Sequence, residues 1–226
     1  MLIISLIPSS KQEIIKIKKQ YPDYWLEYRL DLCNDWNFID KETVDENTIL
    51  TIRYESEAGN NVNQLHKPPV EEKIKNYSQL IKEYNCLVDI EESIYNKLPH
   101  NLRTQIPLSN LILSLHYFSD TWELSELKRR CRNIERINCR FGKIAVNNES
   151  WQRFDEISQI IHSAEISMLY ACMGDEGLSR RLLYKHIGAT GTYLCLPDRE
   201  TATGQLDIKL AEKLKLNKIK GKELQT

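Results

Sequence analysis

The 226 residues suffice for one large domain or two small ones, and 41% hydrophobic with 28% charged residues is ordinary for a globular chain that folds in water. A formal charge of -1 supplies no basic field for nucleic acid or an acidic membrane surface. No stretch approaches the roughly 18 apolar residues of a membrane span, and the apolar start from Met1 to Ile7 is too short for a signal-peptide core, so a cytoplasmic location is expected.

In chain order, the first strand is predicted over Leu2–Ile7, followed by a helix over Lys11–Gln20. Trp25–Leu32 reads as a strand and Trp36–Glu46 as a poor helix. Thr48–Arg53 is a strand closed by a polar, Gly-containing loop through Asn63. Apolar Val70, Ile74, Tyr77, Leu80 and Ile81 fall on one helix face over Pro69–Tyr84, with proline in the first turn. Cys86–Ile90 follows as a strand, Ser93–Arg103 as a short helix or irregular stretch, Leu111–Leu115 as a buried strand and Leu124–Ile134 as an Arg-rich helix. Phe141–Val146, Ile166–Ala171 and Thr192–Leu196 complete the strands. Between and after them, Trp151–Ser163, Leu178–His186 and Leu206–Leu216 are helical in pattern.

Strand–helix alternation with helix-length crossovers implies a parallel sheet covered by helices. Eight repeats favour a closed barrel, although periodicity alone leaves an open doubly wound sheet as the alternative. No Pro/Gly/Ser-rich linker interrupts the pattern, so residues 1–226 read as one domain. The six cysteines (Cys33, Cys86, Cys131, Cys139, Cys172, Cys195) contain no C-x-x-C pair and read as reduced, mostly buried small hydrophobes rather than a zinc site. The Lys-rich end (Lys209, Lys213, Lys215, Lys218, Lys220, Lys222) reads as a solvated helix face and a ragged terminus.

Ionisable residues crowd the carboxyl ends of several predicted strands: Glu27, Arg29 and Asp31; Arg53; Asp89 and Glu91; His116; and Lys143. Successive strand side chains alternate faces, so Glu27 and Arg29 share a face, as do Asp89 and Glu91. In a barrel these faces converge on the mouth where such enzymes keep their chemistry. Glu27 with Arg29, or Arg53 with Asp89, reads equally well as a structural ion pair, and His116 alone reads as a satisfied core histidine. Lys143 is different. It interrupts the apolar strand Phe141-Gly142-Lys143-Ile144-Ala145-Val146, where burial disfavours an ammonium and makes the amine a nucleophile towards a carbonyl.

The motifs resemble those of the type I 3-dehydroquinate dehydratases (3-dehydroquinases). Leu26-Glu27-Tyr28-Arg29-Leu30-Asp31 resembles that family's E-[WY]-R-x-D strand, and Thr51-Ile52-Arg53 with Glu57-Ala58-Gly59 its T-x-R…E-G-G strand and loop. Val88-Asp89-Ile90-Glu91 is similar to D-x-E, Ser114-Leu115-His116-Tyr117-Phe118 to S-x-H-[DN]-F, and Lys143-Ile144-Ala145 to K-[IV]-A. Gly177-Leu178-Ser179-Arg180 resembles G-x-x-S-R, and Thr201-Ala202-Thr203-Gly204-Gln205 resembles [ST]-A-P-G-Q. Together these motifs span nearly the whole chain.

The resemblance implies a single-domain (β/α)8 TIM barrel, a homodimer, no metal or organic cofactor, and a small-molecule substrate, 3-dehydroquinate, with no nucleic-acid or membrane partner. It implies Lys143 as the imine former, His116 as the acid/base and Glu57 as the carboxylate that polarises His116. Arg180 and Gln205 would grip the substrate, with Glu27, Arg29, Arg53, Thr201 and Ser5 completing the polar shell. The departures are Ala58 for glycine, Tyr117 for an acidic or amide residue, Thr201 for serine and Thr203 for proline. Two rivals stand beside this reading. One is another lysine-imine barrel such as an aldolase or transaldolase; the other is a non-catalytic barrel binding a related metabolite.

Overall fold

A computed structural model describes residues 1–54, 68–118, 122–147, 150–174, 177–202 and 204–216. Its strands are β1 (Leu2–Leu6), β2 (Trp25–Arg29), β3 (Thr48–Thr51), β4 (Leu87–Glu91), β5 (Leu111–Tyr117), β6 (Phe141–Asn147), β7 (Met168–Met173), β8 (Thr192–Cys195) and the short β9 (Leu206–Asp207). They form one curled parallel sheet in the order β7-β6-β5-β4-β3-β2-β1-β8-β9. The sheet closes between β7 and β8. There a parallel bridge joins Leu169 to Gly191, while Thr190 N donates to Met168 O at 2.8 Å and Tyr170 N to Gly191 O at 3.0 Å. A side chain at Gly191 would meet Met1 O at 2.9 Å, so closure depends on glycine there. The architecture is the (β/α)8 barrel.

Helices α1 (Lys11–Gln20), α2 (Val70–Tyr84), α3 (Glu92–Lys97), α4 (His100–Arg103), α5 (Leu124–Ile137), α6 (Trp151–Ser163), α7 (Gly177–Leu182) and α8 (Ile208–Lys213) follow their strands. The long ones carry clear terminal signals. Ser10 and Ser150 cap α1 and α6 by accepting from the backbone three residues on. Asn85 and Asn138 end α2 and α5 in the left-handed conformation that asparagine tolerates.

Several boundaries differ from the sequence expectations, for local reasons. Trp36–Glu46 is a set of turns, not a helix. Asp40 Oδ1 accepts from Glu42 N at 2.8 Å and Thr43 Oγ1 donates to Phe38 O at 2.6 Å, so short polar side chains take the backbone groups a helix would use. Pro99 divides the expected Ser93–Arg103 segment into α3 and α4. β2 stops at Arg29 and turns through a 3-10 helix over Leu30–Leu32, which removes Asp31 from the strand. Leu206–Leu216 opens as β9, paired to β8 through Leu194–Leu206 and Cys195–Asp207, before α8 begins. Of the expected Lys-rich end, Lys218, Lys220 and Lys222 lie outside the described residues. All six cysteines are free and buried, and among the described residues no helix is long and apolar enough to cross a membrane.

The alternation of side chains splits the core in two. Outward residues such as Ile4, Leu26, Leu50, Val88, Leu113 and Ile144 pack against the helices. Inward residues form a separate cluster of Ile3, Ile49, Leu87, Ile112, Phe141, Ala145, Leu169, Ala171 and Tyr193; Ile3, Ile49, Leu87, Ile112, Phe141 and Leu169 plug the barrel from below as layered side chains, and Ala145 and Ala171 lie higher, level with His116.

Candidate active site

Two residues above this plug, on the same inward faces, the barrel turns polar. Ser5, Glu27, Thr51, Asp89, Ser114 and Lys143 are all buried. Parallel pairing sets Ser5 beside Glu27, Thr51 beside Asp89 and Ser114 beside Lys143. One further step up, Arg29, Arg53, Glu91 and His116 ring the mouth. Small inward side chains at Ala145 and Ala171 take up little of it on the β6–β7 side.

Lys143 lies at the centre of this network, 5% exposed. Its Nζ donates to Asp89 Oδ2 at 2.9 Å, stands 3.6 Å from Glu27 Oε1 and lies 4.1 Å from the centroid of the Tyr193 ring. Glu27 accepts from Ser5 Oγ at 2.5 Å and Thr51 Oγ1 at 2.9 Å. Asp89 accepts from Ser114 Oγ at 2.6 Å and also pairs with Arg53, whose Nη1 donates to Ser114 Oγ at 2.8 Å. Burial works against the ionised form of Asp89, but Arg53 and then Lys143 outweigh it and hold its carboxyl well below the usual range. Burial likewise opposes a charged Glu27, and Lys143 and then Arg29 overcome it, so its pKa is lowered. The Lys143 amine and the Arg53 guanidinium thus share a cavity with three carboxylates, Glu27, Asp89 and Glu91.

His116 is on β5, one inward step above the neighbour of Lys143. Its Nδ1 is 2.7 Å from Glu91 Oε2, and its backbone N donates to Glu91 Oε1 at 3.3 Å. Burial of Glu91 is outweighed by His116, Arg53 and Arg130, so its pKa is lowered and the carboxylate is ionised. An ionised partner fixes the proton on Nδ1 and leaves Nε2 as the basic nitrogen. Burial, and then Arg53, push the imidazole down to about 4 despite the raising influence of Glu91. Phe118 stacks on the ring at 6.0 Å and 18°.

The other expected site residues divide. Ser5, Glu27, Arg53, His116 and Lys143 are brought together as described. Arg29 turns to Asp31, donating through Nε at 3.0 Å and Nη2 at 2.7 Å, and reaches Thr201 O with Nη1 at 3.4 Å. Thr201 Oγ1 donates to Ser5 Oγ at 2.7 Å, and Gln205 Oε1 accepts from Thr201 N at 2.8 Å. The late loop is therefore tied through Ser5 to Glu27. Gly204, at φ +72°, lies so close to Gly174 O that no side chain would fit. Glu57 and its neighbour Ala58 lie outside the described residues, as does Thr203; among the described residues, the carboxylate on the His116 ring is Glu91.

Arg180 is buried with its guanidinium 5.0 Å from the Trp151 ring. Its neighbour Arg181 instead enters the β7–β8 seam, donating through Nε to Cys172 O and through Nη1 to Tyr193 O at 3.2 Å. Among the described residues no carboxylate pairs with Arg181, and burial lowers it to about 10. Sequence reasoning did not name three contacts: Arg181 in the β7–β8 seam, Asp89 as the ion-pair partner of the lysine, and Glu91 as the partner of the imidazole. Signals existed for each. Counting G-x-x-S-R from Gly177 lands on Arg181, and D-x-E places both carboxylates on one face of β4.

Fold and site together define a barrel of the class that works at the carboxyl ends of its strands, with an amine, an imidazole and buried carboxylates converging there. The sequence matches the type I 3-dehydroquinase family model over residues 4–219. The chain belongs to that family, and so to the carbon–oxygen hydro-lyases. A 3-dehydroquinate dehydratase of Methanococcus maripaludis strain S2 is 29% identical over 222 residues, covering 96% of this chain and 99% of the relative. The crystal structure of 3-dehydroquinate dehydratase from Aquifex aeolicus VF5 has a TM-score of 0.72 at 23% identity, covering 97% of this chain and 99% of the other. That from Geobacillus kaustophilus HTA426 scores 0.70 at 22% identity, covering 94% and 88%.

Proposed function

We propose that this protein dehydrates 3-dehydroquinate to 3-dehydroshikimate in the shikimate pathway, through an imine on Lys143, with His116 moving the proton. The observation that carries the reading is the placement of Lys143 Nζ inside the barrel, between Asp89 at 2.9 Å and Glu27 at 3.6 Å and beside a histidine held by Glu91.

The chemistry suits these residue types. Water must leave from the carbon beta to a ketone, and the C–H between them is too weak an acid for an imidazole to deprotonate unaided. Condensation of the amine with the ketone releases water and gives an imine; its protonated form is an electron sink, so loss of the C–H proton yields an enamine. Asp89 and Glu27 favour that cation because their negative charge is already in place when it forms. His116 Nε2 accepts the proton, and the imidazolium returns it to the departing hydroxyl. A positioned acid/base contributes roughly 10²–10⁴ in rate. Hydrolysis of the imine restores the amine.

The substrate is an anion, and a buried guanidinium without a counter-charge is a natural receptor for its carboxylate. Arg181, with no carboxylate partner among the described residues, meets that description, and Arg180, which lies on the Trp151 ring, is the other candidate. Glu57 remains in the proposal as a carboxylate that polarises His116, Gln205 as a grip on the substrate and Thr201 as part of the polar shell, together with a cytoplasmic homodimer. Assay of the purified chain with 3-dehydroquinate should develop the absorbance of a conjugated enone, and a sugar phosphate should not turn over. The opposite pair of results would transfer the lysine to an aldolase-type reaction.

A further inference from the structure

We infer that Arg130, on α5 outside the barrel, is a positioning residue for proton transfer that acts through Glu91; this rests on the reading of His116 as the acid/base. Glu91 and Glu92 are consecutive, the first closing β4 with an inward side chain and the second opening α3 with an outward one. Arg130 straddles them. Its Nε donates to Glu92 Oε2 at 2.8 Å, its Nη2 to Glu91 Oε1 at 3.4 Å and its Nη1 to the Tyr117 hydroxyl at 3.3 Å, while its guanidinium lies 5.5 Å from the Tyr117 ring. Asn96 and Asn133 donate to Glu92 Oε1, each at 2.6 Å, so Glu92 is anchored independently and fixes the guanidinium in turn.

The consequence falls on Glu91. Its Oε2 serves the His116 ring, while Oε1 accepts from the His116 backbone N and from Arg130. A carboxylate held at both oxygens has one orientation, and that orientation selects the imidazole tautomer with a basic Nε2. Glu91 is buried, and a cavity of about 510 Å³, lined by Glu91, Ile94, Leu98, Leu102, His116 and Arg130, opens beside the pair. On the other side Ser114 Oγ lies 3.4 Å and Arg53 Nη1 3.7 Å from Oε2, so polar contacts on both oxygens bear on the Glu91 rotamer. Tyr117, one of this chain's departures from the family pattern, supplies the surface against which the guanidinium lies.

Full-length Arg130→Met protein, compared with wild type, tests the proposal. The expected result is a fall in kcat of about ten- to thirty-fold with KM changed less than about twofold, and an undiminished yield of borohydride-trapped imine on Lys143. Arg130→Lys, which keeps the charge but not the planar fork, should recover part of kcat and carries the same test if the methionine variant does not fold. In a Glu91→Gln background, Arg130→Met should cost less than about threefold more, whereas in a Glu92→Gln background it should keep its full penalty. Unchanged kcat in Arg130→Met would overturn the inference, and so would a penalty that vanishes with Glu92→Gln, which would make Arg130 a brace between helices. Full activity of His116→Ala would instead remove the underlying reading, and this inference with it.

Discussion

The lower and upper halves of the barrel interior are built from the same inward faces of the same strands, yet they behave as different materials. Below, Ile3, Ile49, Leu87, Ile112 and Phe141 fill the space with apolar contact. Two residues further along, Ser5, Thr51, Asp89, Ser114 and Lys143 fill it with charge and hydrogen bonds. The lower layer resists burial of any polar group, while the upper layer tolerates ions only because each has a partner. The difference shows how a barrel can hold a reactive amine: a buried apolar floor fixes the height at which the charged layer begins.

The comparison breaks most completely at Lys143. Lys143→Ala should abolish turnover in the enone assay, while circular dichroism still reports a folded barrel. His116→Ala should follow, with kcat lower by roughly 10²–10⁴ and imine still formed on Lys143; full activity would exclude its role. Arg181→Ala should mainly raise KM, by about tenfold or more for a charged hydrogen bond lost, and Arg180→Ala should raise it less; the reverse order would return carboxylate recognition to Arg180. A floor variant should act on stability alone. Ile112→Ala should cost about 2–5 kcal/mol in denaturant unfolding and leave the folded fraction's kcat unchanged. The smallest effect is a displacement of the pH profile. His116 is neutral down to about pH 4, so the acid limb of kcat/KM should lie well below the 6.5 of a free imidazole. Because ionised Glu91 raises that value, Glu91→Gln should move the limb lower still; an upward move would contradict the assignment.

Much of this division was legible in the sequence. Alternation along Trp25–Arg29 and Leu87–Glu91 put Glu27 with Arg29, and Asp89 with Glu91, on shared faces, and a lysine within Phe141–Val146 marked the charged layer. Local backbone competition was not legible: Asp40 and Thr43 undo a segment whose apolar spacing suggests a helix. Nor were partners across strands, since a strand's own residues do not say which neighbour's side chain it meets. That is why Glu91 on the His116 ring was not anticipated, while Glu57 lies outside the described residues, and why two adjacent arginines were separable only once one lay on Trp151 and the other in the β7–β8 seam.

The central claim, that the amine held between Asp89 and Glu27 condenses with a ketone, is tested most directly by incubating the protein with 3-dehydroquinate, reducing with borohydride and mapping the modified peptide. A stable mass increment on Lys143 alone is the predicted result. An unmodified Lys143 in protein that is turning substrate over would contradict it.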